Sequence, residues 1–246
     1  MVELTTDTQP SPKKIGIFGG TFDPVHRGHL TLAQVASHQF SLDLVIWVPT
    51  GVPFHKNSHG LLIHSPPPSA YENRLSMVQL AIAPHPHFLV SSIEADCNHR
   101  SYAIHTFWRL RESMELQYGL CQWYWLMGLD TFQTLPNWYL SRELIPECTW
   151  LVANRGQTMA PVNGMDICQS VVDRLIDQFN PNQPFLRDGD GRTGFCPIRW
   201  HLLQLSLPIS STVIRQRYQI GESIEDWVPF EVLGYIKAHG LYPLNG

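Results

Sequence analysis

The 246-residue sequence contains no apolar run long enough to cross a bilayer, which takes about 20 consecutive apolar residues. It has no surplus of positive charge. Lys and Arg number 17 against 21 Asp and Glu, a formal net charge of −4, so a general affinity for nucleic acid is not expected. The five cysteines are odd in number and lie far apart, which argues against a disulfide framework and for reduced thiols in a cytoplasmic protein. Residues 1–13 are polar and Pro-containing, lack the apolar core of a signal peptide, and read as a loose tail. No His-Glu-x-x-His or Cys-x-x-Cys spacing occurs to suggest a zinc site. What remains is a chain with 43% hydrophobic residues, long enough to bury a sizeable core.

The most informative stretch runs from Lys14 to Leu30 and reads as strand, turn and helix. Ile15 and Ile17 supply a short apolar strand. Gly19 and Gly20 permit a tight turn and a close approach of ligand to backbone. Pro24 precedes a helical pattern that continues through His29-Leu-Thr-Leu-Ala-Gln-Val-Ala. A glycine turn feeding a helix start presents N–H groups and a positive dipole end, a setting suited to phosphate. His26 and His29, three residues apart, would share one helix face, and Gly28 between them would leave room for something large. Two plainer readings stand beside this one: a simple strand-to-helix connection, and a zinc site that still needs a third ligand.

Strand and helix patterns then alternate. A strand over Leu42–Val48 ends in Pro49-Thr-Gly-Val-Pro-Phe-His-Lys56, placing Lys56 near the carboxyl edge of a sheet, where open parallel sheets bind ligands. Most lysines are simply surface residues, and Lys56 alone would be read so. Residues 57–69 are rich in Gly, Ser and Pro and read as a mobile loop. A helix over 70–82 buries Leu75, Val78 and Ile82, and carries Arg74 in its first turns, where the dipole favours acids. A third strand at Phe88–Ile93 leads through Ser101-Tyr102-Ala103 into a helix ending near Tyr118. A fourth, from Gln122, ends in Gly128-Leu-Asp130, where an aspartate either binds ribose hydroxyls or caps the next helix. Trp138 is either core filler or a stacking face. A fifth strand (148–153), a helix (165–178), a loop (180–197) and a sixth strand (199–205) follow. Ile209-Ser-Ser-Thr-Val-Ile-Arg215 opens a helix capped by Ser210 or Ser211, with Arg215 one turn inside, and a last helix over 231–239 closes at Gly240.

Gly20-Thr21-Phe22-Asp-Pro-Val-His-Arg-Gly-His29 resembles the G-x-F-D-P-x-H-x-G-H signature of the nucleotidyltransferases, most of all the nicotinate mononucleotide adenylyltransferase family, and the 209–215 segment resembles that family's I-S-S-T-x-I-R. The resemblance spans roughly Lys14 to Tyr242. It implies one α/β domain over 14–246, a Rossmann-like parallel sheet with helices on both faces and a small helical C-terminal part. It implies transfer of the adenylyl group of ATP to nicotinate mononucleotide, with Mg²⁺ accompanying ATP and no metal held by the protein alone. His26, His29, Lys56 and Arg215 would be the catalytic set. Gly19, Gly20, Thr21, Phe22, Gly28, Gly128, Asp130, Ile209, Ser210 and Ser211 would bind ATP. Arg74, Ser101, Tyr102, Ala103 and Trp138 would bind the pyridine mononucleotide, although Ala103 lacks the hydroxyl of the family's threonine. The partners implied are ATP and a pyridine mononucleotide, with neither nucleic acid nor membrane, and a homo-oligomer remains open. Other phosphate acceptors (nicotinamide mononucleotide, pantetheine phosphate, flavin mononucleotide) and a nucleotide-binding protein without catalysis are the competing readings. The 156–197 region is longer than the compact bacterial members lead one to expect.

Overall fold

The computed structural model describes residues 11–51, 54–56, 62–64, 69–95, 101–154, 164–179, 198–205 and 209–244, with side chains at 54–56 and 62–64 left aside. Six strands form one parallel sheet: β1 (Lys13–Gly20), β2 (Leu44–Pro49), β5 (Phe88–Val90), β6 (Cys121–Gly128), β7 (Cys148–Asn154) and β8 (Arg199–Gln204). Their order across the sheet is β5-β2-β1-β6-β7-β8, so the winding reverses between β1 and β6. Ligands of open α/β sheets bind outside the carboxyl ends of the strands at such a reversal. The strand begins at Lys13, one residue into the predicted tail.

Alternation along β1 divides its side chains between two cores. Ile15 and Ile17 face one side and Phe18 the other, as the two-residue period of a strand requires. Phe18 joins Trp47, Leu126 and Leu151 under helices α1 (Arg27–Phe40), α2 (Tyr71–Ile82), α7 (Ser211–Gln219) and α8 (Phe230–Ala238). Ile15 and Ile17 join Trp125, Trp150 and Val152 under α3 (Ala103–Tyr118), α4 (Leu129–Phe132), α5 (Ser141–Leu144) and α6 (Gly164–Phe179). The expected Rossmann-like sheet with helices on both faces is therefore present. The C-terminal helices extend the α1/α2 layer, and the Tyr235 hydroxyl of α8 donates to Asn73 Oδ1 of α2 at 3.0 Å.

Two expectations need correction. The stretch read as a loop from 57 to 69 contains β4 (Leu62–His64), which pairs antiparallel with β3 (Phe54–Lys56) in a separate hairpin. Short strands of three residues give too little periodicity to be read from composition rich in turn formers. In α2 the buried stripe is Arg74, Met77, Val78, Ala81 and Ile82, while Leu75 is only half-buried. The helix is turned so that the arginine faces inward. The predicted loop at 180–197 and most of the 156–197 region lie outside the described residues.

The second core is built on tryptophan. Trp125 and Trp150 stack with centroids 5.7 Å apart, and the Trp150 indole donates to the Ile145 carbonyl at 3.1 Å. Trp150→Ala is expected to destabilise the protein by about 3–5 kcal/mol, the range for deleting a buried large aromatic. The urea midpoint measures it, and a loss within experimental error would show that the stack does not support the sheet.

Candidate active site

The turn after β1 is tied down from distant parts of the chain. Phe22 sits at φ 52°, the left-handed region that bulky residues avoid. Its ring is buried, edge-on to Phe18 at 5.3 Å and to His29 at 5.0 Å, and this packing holds the unusual backbone. A Cβ on Gly20 would come within 2.9 Å of the Phe22 ring, whereas one on Gly19 would meet nothing nearer than Trp125 at 3.9 Å. Phe22 was expected to touch ATP, but its side chain belongs to the core and supports His29 from beneath.

Asp23, next in sequence, is 1% exposed. Oδ2 accepts from the Ser69 N–H at 3.1 Å, and Oδ1 accepts from the Tyr242 hydroxyl. Its main-chain carbonyl accepts from Arg215 Nη1 at 2.6 Å, and the Pro24 carbonyl accepts from the Ser211 hydroxyl at 2.9 Å. The two sequence motifs are thus bonded to each other although 187 and 192 residues separate these pairs. Burial raises the Tyr242 phenol well above its ordinary pKa, and the charge of Asp23 pushes the same way.

The two histidines do not simply share a helix face. His26 is the N-cap of α1, with extended backbone, and its Nδ1 accepts from the His29 N–H at 3.3 Å. His29 Nδ1 accepts in return from the His26 N–H at 3.2 Å. This is a capping box made of two imidazoles, and the rings stack with centroids 3.6 Å apart. Because each Nδ1 is an acceptor, the proton of each neutral ring sits on Nε2, and both rings are buried, His26 at 1% exposure and His29 at 9%. The space at Gly28 is taken by His26 itself: a Cβ there would lie 3.0 Å from its Nδ1. The glycine therefore admits the capping ring rather than a large ligand.

The remaining predicted residues are distributed over several elements. Ser210 caps α7 by accepting from the Val213 N–H at 3.3 Å, with Ile209 half-buried before it. Arg215 Nη2 also donates to the Thr212 hydroxyl at 3.4 Å. Gly128 caps α4, so Asp130 lies inside the helix start with its side chain exposed, and the reading of Asp130 as the cap is removed. Lys56 is placed by its backbone on β3; its side chain lies outside the described set. Ser101, Tyr102 and Ala103 form the entry to α3, whose N-cap Tyr102 makes no side-chain capping bond. The Tyr102 ring lies 4.4 Å from that of Tyr139. Trp138 is half-buried, edge-on to Trp125 and Trp150, and donates to the Thr134 hydroxyl at 3.0 Å.

Arg74 departs from its expected contact with the pyridine mononucleotide. It is 1% exposed and its guanidinium donates to three carbonyls: Nη1 to Thr21 at 2.9 Å, Nη2 to Gly51 at 3.1 Å and Nε to Ser69 at 3.3 Å. Desolvation lowers its pKa, and the nearby Asp23 charge opposes that effect. Arg74 binds three loops together. The sequence reading missed Asp23, Ser69, Glu94, Thr106 and Tyr242. Asp23 stood inside the first motif, whereas Tyr242 carries no local signal at all.

Among the described residues no helix is long and apolar enough to cross a membrane, and no group of three His, Cys, Asp or Glu is placed to hold a metal ion.

A cytidylyltransferase-like family model matches residues 17–217. A protein of Trichormus variabilis named probable nicotinate-nucleotide adenylyltransferase is 41% identical over 232 residues, covering 93% of this chain and 96% of that one. A Gloeobacter violaceus protein of the same name is 37% identical, covering 94% and 96%. Among solved structures, nicotinic acid mononucleotide adenylyltransferase of Plasmodium falciparum complexed with APC aligns over 95% of this chain and 98% of that one, with a TM-score of 0.64 and 16% identity. The same enzyme complexed with NaAD aligns with a TM-score of 0.61 and 16% identity. At such identity the structural likeness concerns the fold.

Tyr242→Phe should lower stability at neutral pH by about 1.5–3 kcal/mol, the worth of a hydrogen bond to a charged group. The phenol is protonated more tightly in the folded state, so its contribution is complete below the unfolded pKa near 10 and is lost as pH rises above it. Wild type should therefore lose more stability than Tyr242→Phe between pH 10 and 11.5, roughly the range above that pKa. Equal alkaline slopes in urea titrations of the two proteins would contradict this.

Proposed function

The chain belongs to the cytidylyltransferase-like family, and within it to the nicotinate-nucleotide adenylyltransferases, and from that premise we propose how its residues carry out the transfer. The 5′-phosphate of nicotinate mononucleotide attacks the α-phosphorus of ATP, the bond to the β-phosphate oxygen breaks, and pyrophosphate leaves as the dinucleotide forms. The observation that carries this reading is the joining of the two motifs by the Ser211–Pro24 and Arg215–Asp23 hydrogen bonds at the reversal of the sheet. These bonds hold the histidine turn and the start of α7 together, which supports reading the two as one anion site.

The nucleophile is already an anion, so no strong base is needed. The enzyme aligns the two substrates and stabilises charge that builds on the phosphates. The reciprocal cap fixes the orientation of both rings and puts the proton of a neutral His29 on Nε2. His29 donates to the α- or β-phosphate in the transition state and His26 assists. Lys56 and Arg215 hold the β- and γ-phosphates, and Asp130 takes the adenosine ribose. Trp138 stacks on the pyridine ring. The start of α3, without a side-chain cap, receives the nicotinate carboxylate on its N–H groups, a role that does not need a hydroxyl at Ala103.

Mg²⁺ neutralises triphosphate charge when it accompanies ATP. Asp23 is not available to it, since both carboxylate oxygens are already bonded to the chain, and the ion would be carried by the phosphates themselves. The reaction is assigned to the cytoplasm, in keeping with the free Cys121, Cys148 and Cys168.

ATP incubated with nicotinate mononucleotide should give a product with the mass of the dinucleotide, and a higher kcat/KM than with the amide. A preference for nicotinamide mononucleotide would overturn the acceptor. His29→Ala should lower kcat on the order of 10²-fold or more, with a smaller effect on ATP binding, because a charge-stabilising donor acts most strongly in the transition state. Trp138→Ala should weaken both pyridine mononucleotides roughly 5- to 150-fold, the equivalent of about 1–3 kcal/mol of stacking. Acceptor binding unchanged in calorimetry would remove Trp138 from the pocket.

A further inference from the structure

The Gly51 peptide is gripped from both sides by buried charged side chains. Its N–H donates to Glu94 Oε2 at 3.0 Å, and its carbonyl accepts from Arg74 Nη2 at 3.1 Å. A Cβ at position 51 would lie 2.6 Å from the Glu94 carbonyl oxygen, so the two segments meet backbone to backbone. Glu94 is 7% exposed, and its other oxygen, Oε1, accepts from the Thr106 hydroxyl at 2.6 Å. Thr106 is itself buried and stands one turn inside α3. Gly51 leads toward the β3–β4 hairpin on which Lys56 stands, while α3 opens at Ser101–Ala103. One carboxylate therefore bonds to the segment entering the triphosphate side with one oxygen and to the acceptor side with the other.

Burying a carboxylate is costly unless its oxygens are satisfied, and here both partners belong to segments that must be held in register. We infer that Glu94 is a positioning residue that fixes the start of α3 relative to the Lys56 hairpin, and so sets the alignment of the two substrates. Its two carboxylate oxygens are bonded to the chain itself, so its role is exerted through those partners. This rests on the proposed assignment of Lys56 to ATP and of α3 to the acceptor. In-line transfer is sensitive to such placement: an error of about 1 Å can cost on the order of 10²-fold in rate.

The test compares Glu94→Ala, Glu94→Gln and Thr106→Val in steady-state kinetics, thermal melting and amide hydrogen exchange. Glu94→Ala should lower kcat on the order of 10²-fold, with smaller changes in both KM values. Glu94→Gln should recover most of kcat, because its oxygen can still accept from the Gly51 N–H and its amide can donate to the Thr106 hydroxyl. Exchange should quicken at both Gly51 and Ala103–Thr106 in Glu94→Ala, and at the α3 start alone in Thr106→Val. The proposal is overturned if Glu94→Ala turns over like wild type, if Glu94→Gln is folded yet as impaired as the alanine variant, or if exchange quickens on one side only in Glu94→Ala. Should Glu94→Ala not fold, a folded Thr106→Val with wild-type kcat and unaltered α3 exchange is the overturning result. If wild type itself fails to adenylate nicotinate mononucleotide, the proposed function falls, while the exchange pattern still decides the role of Glu94.

Discussion

A buried carboxylate must find partners, and Asp23 finds them far away. Its oxygens are satisfied by the Ser69 N–H and the Tyr242 hydroxyl, while its own carbonyl receives Arg215. Arg74, close enough to feel its charge, holds the Thr21 carbonyl of the same turn together with the Gly51 and Ser69 carbonyls of two other segments. Leaving any of these groups unpaired in the interior would cost more than the bond itself contributes. The turn that carries the two histidines is therefore determined by residues from four other parts of the chain, and its left-handed Phe22 is tolerated because that surrounding structure fixes it.

The sheet separates two aromatic environments. On one face Phe18 and Phe22 pack edge-on to His29 with Trp47 against both of them, and on the other Trp125 and Trp150 lie beneath Trp138. Adjacent residues of a single strand serve both, since Ile17 contributes to the tryptophan side and Phe18 to the histidine side. Proposed phosphate chemistry and proposed ring recognition are supported by different cores that share one backbone. A change in either core reaches the site through a different set of contacts, with β1 and β6 as the common rigid frame.

Local signals made much of this legible. Gly19-Gly20 after an alternating strand marked the turn, and Ser210-Ser211 before a helical pattern marked the start of α7, where the structure makes Ser210 the cap. The parallel sheet followed from alternating strand and helix patterns. Contacts that depend on long-range closure were not legible. Arg74 reads as a substrate-binding cation because nothing nearby in sequence reveals three carbonyls waiting for it. The spacing of His26 and His29 suggested a shared face, whereas the actual geometry has His26 outside the helix as its cap, a distinction of one residue in the helix boundary. Gly28 was read as room for a ligand, yet the neighbour it accommodates is two residues away.

The Asp23–Tyr242 hydrogen bond also joins the histidine turn to a residue that follows the whole sheet in the chain. The six-stranded sheet is complete once β8 has emerged, and its two cores can begin to close then. The histidine turn at that moment still has a buried carboxylate short of one donor, and it stays so until Tyr242 leaves the ribosome and α8 docks. A chain whose sheet has formed would thus still lack a finished histidine turn, because the last donor to that turn comes from a segment that follows every strand.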